Sequence, residues 1–302
     1  MIKLVESIEE ANAITHAGSF HADDIFSTIF LSKMKDIYLY RTNNLEENIQ
    51  GKIIYDIGLG EFDHHGVDAK IRENGIKYSS FGLLFEKFGK DYLKTKQVKD
   101  LNTCYEMFLQ EFILQVDAID NGIFPKKETT YNLLSLPQLI ELFNPTWKEE
   151  KTSNEAFESA LFVGEKIFNR IETRILDKMK AKDIIEQKIK QSQNHILLLE
   201  QYMPYMDFVL NSKEESGKSL YYCIYPSNRG GYNIQAILKS KETHENRLNF
   251  PSEWGGKTKE ELYELTLVET FRFCHIGLFL CACDTLEDAK KIAYLAIEQK
   301  KN

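Results

Sequence analysis

Apolar positions in the first half of the chain follow two rhythms. Ala13-Ile14-Thr15, Ile37 to Tyr40 and Ile53-Ile54-Tyr55 are short runs that read as strands, the third stopping at Asp56 ahead of Gly58 and Gly60. Between them, His21 to Met34 carries Ile25 and Ile29, and Phe26 and Phe30, at four-residue spacing, which predicts a helix. Ser79 to Phe88 predicts another, with serines available as its cap. Leu101, Tyr105, Phe108, Phe112, Val116 and Ile119 mark a longer helix ending near Asn121-Gly122. Strands alternating with helices imply a parallel sheet covered on both faces.

From Phe157 the apolar residues recur at 161, 168, 171, 175 and 179, which predicts a long, polar-faced helix over roughly 152 to 192. Strands return at Ile196 to Leu199, Leu220 to Tyr225, Tyr232 to Leu238 (paired with the preceding run) and Phe279 to Cys283. Thr285 caps a last helix through Ile297, with Asp288 in place of the usual glutamate of a capping box. The predicted layout is an α/β chain of two domains. Residues 1–150 form a mostly parallel sheet flanked by helices, 151–195 a helical connector, and 196–302 a smaller α/β domain.

Composition narrows the function classes. The 302 residues suit two domains of ~150 residues each, and 43% apolar with 28% charged residues is ordinary for globular proteins. A net charge of −8 argues against a tight grip on long duplexes, whose phosphates call for a basic surface. A small anion or a short strand end held beside bound cations stays compatible with it. The five cysteines, at 104, 223, 274, 281 and 283, form no disulfide framework, so a reducing, cytoplasmic setting is expected. Cys281 and Cys283 share a strand face, where a small buried hydrophobe competes with a metal or redox role. The opening residues are not expected to act as a signal peptide, and no run of ~20 apolar residues predicts a membrane span.

The chemistry-bearing residues gather where strands end. His16 follows the first run, His21 and Asp23 come after a four-residue loop, and Asp56 ends the third run, with Asp63-His64-His65 just beyond. Asp117 and Asp120 lie late in their helix, three apart and on one face. In an open parallel sheet, ligands bind beyond the carboxyl ends of the strands. Carboxylates and imidazoles without thiolate suit a borderline-hard divalent ion, and one carboxylate can bridge two such ions. Each residue also has a structural explanation. Asp23 and Asp24 are first-turn acids that favour the helix dipole, and Asp56 can begin a turn. Their joint occurrence at sheet edges is what favours a metal site.

The segments Thr15 to Asp24 (THAGSFHADD), Glu61 to Gly66 (EFDHHG), Val116 to Gly122 (VDAIDNG), Tyr225 to Ala236 (YPSNRGGYNIQA), Phe250 to Trp254 (FPSEW) and Phe273-Cys274-His275 together resemble the Myg family. This is a DHH-like branch of the DHH phosphoesterases, whose members include single-strand exonucleases, oligoribonucleases, cyclic-dinucleotide phosphodiesterases and manganese pyrophosphatases. The resemblance spans nearly the whole chain and implies a DHH-like first domain and a metal-dependent 3′–5′ exoribonuclease. It implies that His16, His21 and Asp23 form the first metal motif, where the superfamily usually has aspartate at the position of His21. It makes Asp56 the bridging carboxylate, His64 a ligand of a second ion, and His65 a contact to metal or phosphate. The last ligand would be Asp117 or Asp120, with Asp117 preferred. Ser227 to Gly231 resembles the glycine-rich substrate segment, in which Gly230 and Gly231 admit a phosphate and Arg229 grips it; a hairpin turn is the structural explanation. His275 would also face substrate, or else serve as a strand-end histidine.

The expected cofactor is a pair of divalent ions, manganese first, activating a water for in-line attack on phosphorus. The expected partner is short single-stranded RNA or another oligonucleotide, and no membrane. Rival readings are a small-molecule phosphoesterase acting on a nucleotide, cyclic dinucleotide or pyrophosphate, and a metal-binding regulatory protein without turnover. The sequence leaves substrate length and a homo-oligomeric state open.

Overall fold

A computed structural model of the chain describes residues 1–45, 49–124, 130–131 and 133–300. It divides into two compact units, Met1–Asp177 and Lys178–Asn302.

The first unit runs β1 (Ile2–Leu4), β2 (Ala13–Thr15), α1 (Ala22–Ser32), β3 (Ile37–Arg41), β4 (Ile53–Ile54), α2 (Ser80–Lys94), α3 (Leu101–Phe108), α4 (Leu114–Asp120), α5 (Leu136–Glu141) and the first part of α6 (Ser153–Lys190). Its four strands are all parallel, in the order β1-β3-β2-β4. β2 pairs Ala13 with Ile53 and Ile14 with Ile54 of β4, so the residues that follow both strands leave the sheet side by side. That register is what brings His16 and Asp56 together.

Ten residues of α1, from Ala22 to Leu31, are buried, including both acids of its first turn. A helix buried all round needs neighbours on every side. Phe26 meets Phe112 at 4.8 Å and Phe81 at 5.9 Å between ring centroids. Phe30 meets Tyr92 at 5.4 Å and Phe85 at 5.6 Å. These tilted and edge-to-face rings pin α1 against α2 and the α3–α4 segment. Gly164 of α6 lets the long helix approach closely, since a Cβ there would stand 2.9 Å from Ile25. A single π-helical turn, Leu109–Ile113, joins α3 to α4. α2 continues from the expected Phe88 to Lys94, and β4 ends at Ile54 with Tyr55 in an isolated bridge to Phe62, while α6 keeps close to its expected bounds over 38 residues. Most of the segment 151–195, expected as a helical connector, is this one helix.

The second unit holds β5 (Ile196–Leu198), α7 (Met206–Leu210), α8 (Glu215–Lys218), β6 (Tyr222–Pro226), β7 (Tyr232–Ala236), α9 (Lys259–Thr266), β8 (Phe271–Cys274), β9 (Leu280–Cys283) and α10 (Leu286–Gln299). The sheet order is β5-β6-β7-β9-β8, with β5 and β6 parallel and the other pairs antiparallel. Thr285 caps α10, accepting the Asp288 N–H, and the helix buries Ala289, Ile292, Ala293 and Ala296 in this unit's core. All five cysteines are buried and unpaired. No described helix is long and apolar enough to cross a membrane.

Candidate metal centre

β2 delivers His16 to the sheet edge, half-buried, with acceptors at both ring nitrogens. Nδ1–H donates to the Ala17 carbonyl at 3.1 Å and Nε2–H to Asp24 at 3.1 Å, with Asp56 Oδ2 3.3 Å away. The loop that follows is clamped by Arg41, which donates to the Gly18 carbonyl at 2.9 Å and to Ser153 Oγ at 3.0 Å while its guanidinium lies 4.1 Å from the centre of the Phe157 ring. His21 then caps α1, and its N–H donates to Asp24 Oδ2 at 3.0 Å. Asp24 also accepts the Thr15 hydroxyl at 3.0 Å, and its own N–H donates to Asp23 Oδ1 at 2.9 Å. Two acids in the first turn sit where the helix dipole favours negative charge.

Asp56 follows β4 in a left-handed backbone conformation (φ 58°), which costs of order 1–3 kcal/mol for a residue with a Cβ. The surroundings hold it there. Its N–H donates to the Phe62 carbonyl at 3.0 Å, and Ser80 Oγ–H reaches its Oδ1 at 3.2 Å. Asp56 faces two imidazoles with different oxygens: Oδ2 lies 3.3 Å from His16 Nε2 and Oδ1 lies 3.0 Å from His64 Nε2. Asp63 ties the intervening loop, accepting the backbone N–H groups of Leu59 at 2.7 Å and His65 at 3.0 Å and the His65 ring at 2.8 Å. His65 is more than half exposed and comes within 3.6 Å of Asp56 Oδ1. It stands at the open side of the cluster.

The two aspartates of α4 part company. Asp120 Oδ2 lies 3.1 Å from His64 Nε2, and Asp120 groups with His21 and Asp23. Asp117 is wholly buried and paired instead with Arg72 at 2.6 Å and Ser79 at 2.8 Å. Of the two candidates, with Asp117 preferred from the sequence, the fold brings Asp120 into the cluster and leaves Asp117 outside it. Residues three apart on a helix share a face only loosely, and partners 45 and 38 residues away in sequence take Asp117 out of the cluster. Asp24, which the sequence reading assigned to the helix dipole, joins His16 and His21, and also Asp23 and Asp56. The signal was present in the chain: an acid three residues after a helix-capping His21 reaches back to that residue's N–H.

The residues gathered here are therefore His16, His21, Asp23, Asp24, Asp56, His64, His65 and Asp120, in groups whose ligand atoms lie within 4.8 Å of one another. Burial and crowded carboxyls dominate their electrostatics. Burial, with Asp56 and Asp120 nearby, raises the Asp23 carboxyl well above its ordinary range, and burial raises Asp120 too. Burial alone would lower His16, but Asp24 and Asp56 push it up to about 11. His64 rises for the same reason, against Asp56 and Asp120. Burial would raise Asp56, yet hydrogen bonds from His16 and His64 carry it below the carboxylate range. Asp23 Oδ2 and Asp120 Oδ2 are buried and accept no well-directed hydrogen bond, with His64 Nε2 3.7 Å and 3.1 Å away. Buried carboxylate oxygens without donors are costly unless cations pair with them. A donor set of carboxylates and imidazoles, with two buried carboxyl oxygens unsatisfied, fits divalent ions.

In the second unit, Arg229 stands exposed on the turn from β6 to β7. The turn is closed by Ser227 N–H to the Gly231 carbonyl at 2.9 Å, and Gly230 and Gly231 have φ of 83° and 68°. A Cβ on Gly231 would lie 2.1 Å from the Cys283 carbonyl, so that glycine is required by packing as well. His275 accepts the Gly277 N–H at its Nδ1 (2.9 Å) and packs on Phe279 at 4.3 Å, shaping the turn between β8 and β9.

A family model described as "Uncharacterised protein family (UPF0160)", the MYG1 exonuclease model, matches residues 12–297. The chain belongs to this MYG1 family. A MYG1 protein of Schizosaccharomyces pombe is 28% identical over 317 residues, covering 95% of this chain and 98% of its own. One from Saccharomyces cerevisiae is 26% identical, covering 94% of each. The human relative, named MYG1 exonuclease, is 26% identical over 95% of this chain and 85% of its own length. No solved structure matches the chain.

Proposed function

We propose that the chain is a metal-dependent phosphodiester hydrolase, an exonuclease that removes nucleotides from the 3′ end of short RNA. The observation that carries this reading is Asp56, whose two oxygens face His16 and His64 separately, as a carboxylate shared by two cations would. His16, His21 and Asp24 are suited to hold one ion, and His64 with Asp23 and Asp120 the other, Asp56 standing 3.3 Å from His16 and 3.0 Å from His64. When bound, such ions supply Lewis acidity and lower the pKa of water; manganese is the first choice for this donor set.

The chain's own groups do the rest. Ser80 holds Asp56 in place through Oδ1. Asp63 fixes the exposed His65 ring, leaving that histidine to meet the phosphoryl oxygens at the open side. Arg229, on a turn whose glycines bare the backbone, binds a terminal phosphate of the substrate. The name exonuclease borne by mammalian relatives supports a nucleic-acid substrate, and the net charge of −8 supports a short one over a long duplex.

A substrate panel tests the proposal: short RNA, short DNA, a cyclic dinucleotide and pyrophosphate, each with manganese. Short RNA is expected to turn over fastest. Preference for pyrophosphate or the cyclic dinucleotide would overturn the exonuclease assignment, and no turnover of any would overturn the hydrolase.

A further inference from the structure

Asp117 is as buried as any ligand candidate, yet its carboxylate is already full. Oδ1 accepts the Ser79 N–H at 3.0 Å and the Ser79 hydroxyl at 2.8 Å. Oδ2 accepts Arg72 Nε at 2.7 Å and lies 2.6 Å from Arg72 Nη2. A carboxylate has about four acceptor positions, and four donors occupy them. Asp23 and Asp120, by contrast, each keep a buried oxygen that accepts no well-directed hydrogen bond.

The partners of Asp117 lead in two directions to the metal cluster. Ser79 is the N-cap of α2, accepting the Gly82 N–H, and the next residue, Ser80, donates to Asp56. One turn along α4 from Asp117, Asp120 reaches His64. Asn121 ties that same turn down, donating to the Asp117 carbonyl at 2.8 Å and the Tyr78 carbonyl at 3.3 Å. Arg72 belongs to the loop that follows His64 and His65, and its guanidinium lies 3.7 Å from the centre of the Tyr78 ring. Gly82 makes room for this arrangement, since a Cβ there would stand 2.2 Å from Asp117 Oδ1.

We infer that Asp117 is a positioning residue, a brace through which Ser79 and Arg72 set the aim of Asp56 and Asp120 on the metal cluster. The inference rests on reading that cluster as a metal centre. Groups one layer outside a metal's ligands commonly change metal affinity or activity by roughly 10–100-fold when removed.

The test compares Asp117→Asn and Arg72→Lys with Asp120→Asn in the full chain. It reads manganese stoichiometry and affinity by calorimetry, kcat and KM on a short RNA, and the thermal midpoint. Asp117→Asn is expected to keep the wild-type number of ions, bind them roughly tenfold more weakly, and lower kcat with KM nearly unchanged. Arg72→Lys keeps the charge but loses the two-nitrogen grip. It should move in the same direction by less, and it carries the test if Asp117→Asn does not fold. Loss of an ion from Asp117→Asn, matching Asp120→Asn, overturns the inference in favour of a ligand. A lowered thermal midpoint with affinity and kcat both intact overturns it in favour of simple packing. Affinity is read without turnover, so a wild-type chain that binds manganese but hydrolyses nothing sinks the proposed function while the brace is still judged. A wild-type chain that binds no divalent ion overturns both.

Discussion

Asp56 holds its Oδ1 3.0 Å from His64 Nε2 and turns its other oxygen toward His16. The residue is nearly inaccessible to solvent and sits in a left-handed backbone conformation, so its direction is set by the fold. Asp56→Ala should abolish hydrolysis and weaken the binding of both ions together. Elemental analysis of the purified variant checks it: loss of one ion with the other fully retained contradicts a shared carboxylate.

Asp24 and Asp120 both stand in the cluster, although the sequence reading preferred other acids. Asp120→Asn should remove one ion and lower kcat by ~100-fold or more. Asp24→Asn should disturb His16 and the cap of α1 at once, because Asp24 accepts from both. Activity on a short oligonucleotide, set beside metal content, ranks them. Near-wild-type kcat in Asp120→Asn would return the ligand role to another residue.

Protonation predicts how stability and metal binding respond to pH. His16 rises from 6.5 to about 11, so its stabilising charge is full below about pH 6.5 and is lost as pH climbs toward 11. Asp23 and Asp120, raised by burial, act in the same direction, since their favourable protonated form is lost as pH rises above the ordinary carboxylate range. Asp56, being depressed, contributes stability above about pH 4 that is lost only on strong acidification. The metal-free chain should therefore lose stability from about pH 7 to pH 9, while manganese, which takes the place of the protons, should stabilise it more at the higher pH. Thermal melts with chelator and with manganese at both pH values test this, and an increment independent of pH would count against it.

Arg229 offers a prediction confined to the second unit. Lysine cannot reproduce the planar two-point grip of a guanidinium on phosphate. Arg229→Lys should raise KM by roughly three- to tenfold, with metal content unchanged. Unchanged kcat/KM would reduce Arg229 to a residue of the β6–β7 turn.

Much of this architecture was legible in the chain. The spacing of Ile25, Phe26, Ile29 and Phe30 marked α1, and the long period from Phe157 marked α6. Thr285 announced α10 through its cap. β1 is only three residues long, and β8 carries a register shift between Phe271 and Phe273, so neither shows a clean alternation. α9 opens with a full capping box, Thr258 with Glu261, which was readable but lacked a strong apolar stripe behind it. At the site, His16, Asp56 and His64 were legible because they stand at or just beyond strand ends. The choice between Asp117 and Asp120 was not, because it depends on Arg72 and Ser79, which only the folded chain brings to α4.

The most direct measurement follows a 5′-labelled short RNA through time with the full chain, in manganese and in chelator, for the wild type and Asp56→Ala. The account predicts stepwise loss of single nucleotides from the 3′ end, dependent on manganese and absent from Asp56→Ala. Hydrolysis that continues in chelator, or that Asp56→Ala leaves intact, would contradict it.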